Sequence, residues 1–223
     1  LVQWTQKHDG PVSLYSYYRK YFWMSKPVIF PGLMWSEMSY LRDRGVTGIG
    51  MYSEPGDWLT YELQHYLHAR LAADTSQDIN ALVLDYCLAR FGASGATMSR
   101  WFWTLSKVTT RSTRLFNIAP DPSEIEQGRE LLRSCSVMLR QMQRSCLGNR
   151  QHYKLLKRLS IATRVLDKHL ELQQFQRNGD RKAIERGIKS IMQIVNRHSN
   201  KGLFVISAPH YLSQKGLEKF YNM

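Results

Sequence analysis

The run from Gly45 to Trp58 (GVTGIGMYSEPGDW) restricts the fold most. It reads as a buried strand that stops abruptly in a loop of two carboxylates and aromatic rings, then passes at once into a helix. In α/β folds, chemistry gathers at such carboxyl ends of strands, because the loops converge there.

The elements around this run follow from local pattern. Residues 12–18 (VSLYSYY) are rich in β-formers and alternate in size, which predicts a strand. Pro27, Pro31 and Gly32 punctuate a loop. Leu33 to Arg44 forms a short helix with Met34, Met38 and Leu41 on one face, ended by Gly45 at the C′ position. Val46 to Ser53 is the second strand, whose Gly48 and Gly50 suit a close backbone approach. The strand-to-strand spacing matches a βαβ unit of roughly 30 residues, so the two strands are expected to be parallel.

From Trp58 onward the period is helical. Leu59, Leu63, Leu67 and Leu71 make one apolar stripe, and Ile79, Leu82, Val83, Tyr86 and Phe91 make another, closed by Gly92. A long helix carries Met98, Trp101, Phe102, Leu105, Val108, Ser112 and Leu115. Asp121, Pro122, Ser123 and Glu124 are a start signal: Asp at the N-cap, Pro at N1, Glu reaching back from N3. Two more amphipathic helices follow, one through Leu155 and Leu170, the other capped by Asp180 and bearing Ile184, Ile188, Ile191 and Val195. Short links between long helices imply antiparallel neighbours, so a three-helix bundle is expected at about 122–200. The tail after Gly202 reads as extended, then a final helical turn.

The fold class expected from these patterns is α/β plus all-α, with an α/β part at 1–75 and a helical region at 76–223. Charge divides the same way. Residues 1–75 hold seven basic and seven acidic side chains, whereas 76–223 hold 24 and 11 and so carry the whole net charge of +13. A hydrophobic content of 43% argues against disorder. No apolar run reaches the roughly 18 residues of a membrane span. Cys87, Cys135 and Cys146 lack metal-ligand spacing, and Cys135 and Cys146 read as small apolar residues on helix faces.

The loop after the second strand is the candidate site. Pro55 restricts Glu54 to extended backbone, so its carboxylate is held by the turn. With Asp57, Tyr52 and Trp58 it offers acceptors for hydroxyl groups beside flat apolar rings. Carbohydrates need both, since sugar rings present C–H faces and O–H edges. Asp57 also suits an N-cap for the helix at Trp58. Tyr15, Tyr17 and Tyr18 alternate faces on the first strand, which leaves two readings open: any one of them is ordinary β core, or one or two point into the same mouth.

Other clusters receive plainer readings. Glu37 is taken as a solvated or first-turn carboxylate. Glu62, His65 and His68 step by three and are taken as a solvated helix face, because a two-His helical metal site needs i and i+4. The basic residues Lys154, Lys157, Arg158, Arg164, Lys168, Arg181, Lys182 and Arg186 are scattered among acids without a recognition-helix motif and are read first as solvated bundle faces; the alternative is a basic helical interaction module that binds nucleic acid or an anionic partner. No Walker loop, nucleophile elbow or dinucleotide fingerprint occurs, and no cofactor or metal is expected.

The segments Pro27 to Met38 (PVIFPGLMWSEM), Leu41 to Leu67 and Asp85 to Gly92 (DYCLARFG) closely resemble the domain of unknown function 4838 family. That family contains bacterial glycan-degrading enzymes, among them the endo-β-N-acetylglucosaminidases of glycoside hydrolase family 163. The resemblance spans about residues 12–115. It implies the last two β/α units of a (β/α)₈ barrel, followed by a helical C-terminal region. It also implies export from the cell and a glycan substrate containing N-acetylglucosamine. The catalytic carboxylates are then expected upstream of Leu1, and this chain is expected to supply a subsite wall: Glu54 bonding sugar hydroxyls, with Tyr52, Trp58, Asp57 and Tyr17 beside it.

Overall fold

The computed structural model describes residues 2–18, 26–52, 58–111, 121–146, 148–198 and 214–221. Helix α1 (Val2–Lys7) leads to strand β1 (Val12–Ser16), helix α2 (Pro31–Arg42), strand β2 (Val46–Met51) and helix α3 (Trp58–Ala73). Helix then follows helix: α4 (Ile79–Phe91), a short 3₁₀ segment (Gly92–Ser94), α5 (Gly95–Arg111), α6 (Pro122–Ser145), α7 (Arg150–Arg177), α8 (Arg181–His198) and α9 (Gln214–Phe220).

β1 and β2 pair in parallel, with Ser13 opposite Gly48, Tyr15 opposite Gly50 and Ser16 opposite Met51. The Tyr52 N–H extends the ladder by donating to the Ser16 carbonyl at 3.0 Å. α2 forms the connection between them. Pro31 sits in its first turn, where a missing N–H costs nothing. Gly45 at φ 79° turns the chain out of it into β2, a left-handed conformation that favours glycine.

The expected portion of a (β/α)₈ barrel is overturned. Among the described residues two short strands pair only with each other, and the fold is mostly helical. Closing such a barrel takes eight strands in register. After α3 the described residues form no further strand; Ile79 to Phe91 keep a three-four apolar period and lay α4 against α3 and α5.

From α4 on, each helix packs mainly on its neighbours in sequence. One core cluster runs from Ile29, Met34 and Met38 through Leu67, Leu71 and Val83 to Trp101, Leu105, Leu132 and Leu139. α7 is shared between two cores. Its Leu156, Leu159, Leu166 and Leu170 enter the first, while Val165 and Leu172 pack with Ile184, Ile188, Ile191 and Tyr221 in a second. Gly187 permits that second contact, since a Cβ there would lie 2.4 Å from Leu172 Cδ2.

The segment 26–30 is irregular in backbone yet buried throughout. Its Ile29 carbonyl accepts from the Thr109 hydroxyl at 2.5 Å, which fastens the segment to α5. Such a bond is what a buried loop requires for its polar backbone.

Helix starts are fixed by side-chain caps. Asp121 accepts from the Ser123 N–H at 2.8 Å, Asn149 from His152 N–H at 3.1 Å and Asp180 from Ala183 N–H at 2.9 Å. The expected reach of Glu124 back to the cap is corrected: its Oε2 is buried without a partner, and the Ser123 hydroxyl takes the Asp121 carboxylate at 2.9 Å. Ser112, Leu115 and residues 202–213 of the tail lie outside the described residues.

Candidate functional site

Alternation along the two strands divides their side chains cleanly. Val12, Leu14 and Ser16 are partly buried, whereas Ser13, Tyr15 and Tyr17 point the other way and are exposed. On β2, Ile49 and Met51 pack against the core, leaving Gly48, Gly50 and the half-buried Tyr52 on the face shared with Tyr15 and Tyr17. Tyr15 is 58% exposed and Tyr17 52%. Exposed aromatic area of that size on a small sheet suits a contact surface.

The rings are ordered with respect to one another. Tyr15 meets Tyr17 edge to face, with centroids 5.3 Å apart. Tyr17 lies nearly parallel to Tyr52, with centroids 5.5 Å apart and 23° between planes. Both arrangements suit aromatic quadrupoles. Gly50 makes room for the first ring, since a Cβ there would stand 3.1 Å from Tyr15 Cδ2. Gly48 likewise leaves space beneath Ser13, whose Oγ would be 2.6 Å from a Cβ. The glycines expected to allow close approach thus let side chains of β1 lie across β2.

Behind this face sits a polar cluster that the sequence reading missed. Glu37 is not solvated; its carboxylate accepts from the Tyr18 hydroxyl in a short hydrogen bond and from Ser16 Oγ at 3.5 Å. Burial and that bond to Glu37 hold the Tyr18 phenol above its ordinary range. Gln64 Nε2 donates to the Tyr18 carbonyl at 2.7 Å, while its Oε1 is buried without a partner. The parity of Ser16 and Tyr18, and a lone carboxylate midway along α2, were the available signals.

The helix face of Glu62, His65 and His68 is also corrected. Glu62 pairs with Arg90 of α4 at 3.0 Å. His68 stands 6.4 Å from the Tyr18 ring, with Nε2 buried and unpartnered, and burial lowers its basicity. Glu62 is thus tied to α4 and His68 to the end of β1. Among the described residues no group of three His, Cys, Asp or Glu is placed to hold a metal ion.

Of the sequence-predicted site residues, Tyr17 and Tyr52 are brought together. Glu54 and Asp57 lie outside the described residues, as does the side chain of Trp58, whose backbone opens α3. Among the described residues no helix is long and apolar enough to cross a membrane. The class defined here is a mostly helical protein with a two-stranded parallel sheet and an open tyrosine face. No family model, curated protein or solved structure matches the chain.

Proposed function

We propose that this chain recognises glycans containing N-acetylglucosamine, with the tyrosine face of the two strands as its sugar platform. One observation carries the reading: Tyr15, Tyr17 and Tyr52 are ordered side by side on the open face of the sheet, over glycines. Sugar C–H faces lie against such rings, while phenol hydroxyls at the rim exchange hydrogen bonds with sugar hydroxyls. Glu54 and Asp57 follow Tyr52 closely in sequence, and we include their carboxylates in the proposal as acceptors for sugar hydroxyls. The sequence resemblance at about residues 12–115 to the domain of unknown function 4838 family points to the same substrate class.

We assign this chain a share of substrate binding in a glycoside hydrolase-like protein, not bond cleavage. Glycoside hydrolysis uses two carboxyl groups flanking the scissile bond. Glu54 and Asp57, only three residues apart in sequence, do not suit opposite sides of it.

Titration of the 223-residue chain with chitin oligosaccharides, followed by calorimetry or by NMR, tests the reading. Saturable binding that Tyr15→Ala and Tyr17→Ala each weaken at least fivefold supports it. Absence of binding at millimolar sugar, or binding indifferent to both substitutions, overturns it.

A further inference from the structure

We propose that the closed end of the α6–α7 hairpin is a docking surface for the phosphate backbone of double-stranded nucleic acid. Between residues 131 and 166 the chain holds eight Lys or Arg and no Asp or Glu. Sequence order scatters these charges; helix geometry gathers them.

At 3.6 residues per turn, Arg133, Arg140 and Arg144 fall within about 40° of one another around α6. They stand opposite Cys135 and Met142, which enter the core. On α7, Arg150, Lys154, Lys157, Arg158 and Arg164 fall within about 120°, opposite Leu159 and Leu166. Every one of these eight cations is exposed. The rows run for roughly 17 Å and 21 Å at 1.5 Å per residue. Residues 146–149 join them, so Arg144 and Arg150 flank the turn.

α5 extends the surface. Its residue Trp101 is level with Cys135, whose Sγ lies 3.9 Å from the Trp101 carbonyl oxygen. Ser94 Oγ stands 3.4 Å from Cys146 Sγ, so the start of α5 abuts the end of α6. Exposed Arg100 therefore belongs to the same end of the molecule. The opposite end of the hairpin is compensated: Arg129 pairs with Asp167 at 3.3 Å and Glu171 at 3.6 Å, and Lys168 pairs with Glu171. Arg133, which pairs with Glu126 at 3.0 Å, marks the border.

Like charges held together on rigid helices repel unless an anion neutralises them, and the resulting field draws polyanions. Three features select duplex phosphate. The cations are mostly arginine, whose planar fork matches phosphate. The helices spend their apolar faces on the core, leaving none to enter a lipid interface. Single strands are held by exposed aromatic platforms, and the large apolar side chain exposed on these two helices is Val137, not a ring. Antiparallel rods about 8–10 Å apart suit contact with phosphates along a duplex, without entry into a groove.

Fluorescence anisotropy of a labelled duplex of arbitrary sequence tests this in the full chain. We expect binding whose affinity falls steeply between about 50 and 200 mM salt, with a log–log slope of about −0.9 per phosphate neutralised. Replacing Arg140, Arg144 and Lys154 together by Gln should make that slope shallower by about 3. The paired change Arg181→Gln with Lys182→Gln on α8 should leave both affinity and slope unaltered. Circular dichroism identical to the parent chain shows that these exposed changes leave the fold intact. Failure to bind duplex at about 50 mM salt, an unchanged slope in the triple variant, or equal loss in the α8 variant each overturns the proposal. So does capture of phosphatidylserine vesicles or of a sulfated glycan in place of duplex. Chitin-oligosaccharide affinity, read on the same variants, stays constant and keeps the two proposals separable.

Discussion

The hydroxyl of Tyr221 lies 2.8 Å from Nδ1 of His169, and the two rings stack with centroids 6.2 Å apart. The hydroxyl also reaches the His169 carbonyl at 3.3 Å, so ring and backbone of one residue hold the phenol, with the direction of the Nδ1 bond set by the imidazole tautomer. Both side chains are buried, and Nε2 of the histidine has no partner. This contact fastens the C-terminal turn after α9 to the middle of α7. Tyr221→Phe removes it and leaves the buried imidazole Nδ1 without this partner. The expected loss is about 1–3 kcal/mol in a urea unfolding curve, and faster proteolysis beyond residue 198 would accompany it. Unchanged stability would show that the contact does not hold the terminus.

The same region sets a pH dependence. Burial, and then the charge of Lys26, keep the His169 imidazole well below its ordinary value of 6.5. Burial lowers the Lys26 ammonium from 10.5 to about 7. In both groups the unfolded chain binds protons more readily than the folded one, so stability declines as pH falls. Lys26 sets the decline from about pH 10.5 to about 7; His169 continues it below 6.5. Thermal melts should therefore show a midpoint that drops steadily from pH 9 to pH 5. Lys26→Met should flatten the alkaline portion and soften the acid portion without abolishing it, because burial of His169 remains once the Lys26 charge is gone. A midpoint that rises on acidification would contradict this sign.

Gly95, the first residue of α5, shows where backbone meets backbone. A Cβ there would lie 2.7 Å from Leu88 Cα and 2.8 Å from the Cys87 carbonyl oxygen. Neither atom is the yielding tip of a side chain. Gly95→Ala should destabilise the protein by about 1–3 kcal/mol, as overpacking does. Gly148, with nothing within 4 Å of its would-be Cβ, is the control; Gly148→Ala should stay within about 0.5 kcal/mol of the parent. Chemical denaturation of the two variants side by side decides the matter, and equal stabilities would dismiss the steric account.

How much of this was legible beforehand depends on the range of the signal. The parallel strand pair, the turn at Gly45 and the caps at Asp121 and Asp180 are local, written in alternation and in cap chemistry within a few residues. The barrel came from resemblance alone and fails, because strand count depends on which elements pair, which no local pattern encodes. The Tyr18–Glu37 bond joins residues 19 apart across an element boundary, and a carboxylate on a helix looks solvated until its neighbour is known. The basic face had the opposite problem. Its residues were all visible, but only the rotation of each helix against its core sorted them into rows.

Gly50 links the sheet to the tyrosine platform and gives a last test. A methyl group on Gly50 would sit 3.1 Å from Tyr15 Cδ2, tighter than an ordinary carbon contact. Tyr15 is exposed, so its ring has room to swing outward, and the fold should tolerate Gly50→Ala with a loss near 1 kcal/mol or less. The geometry of the platform should not survive as well, because the edge-to-face contact with Tyr17 depends on where Tyr15 lies. Chitin-oligosaccharide affinity should fall severalfold while the unfolding midpoint moves little, whereas Tyr18→Phe behind the sheet should lower stability by about 1–3 kcal/mol through Glu37 and affect sugar binding less. If Gly50→Ala lowers stability and leaves oligosaccharide affinity untouched, the tyrosines are a structural ornament of the strand and the sugar site lies elsewhere.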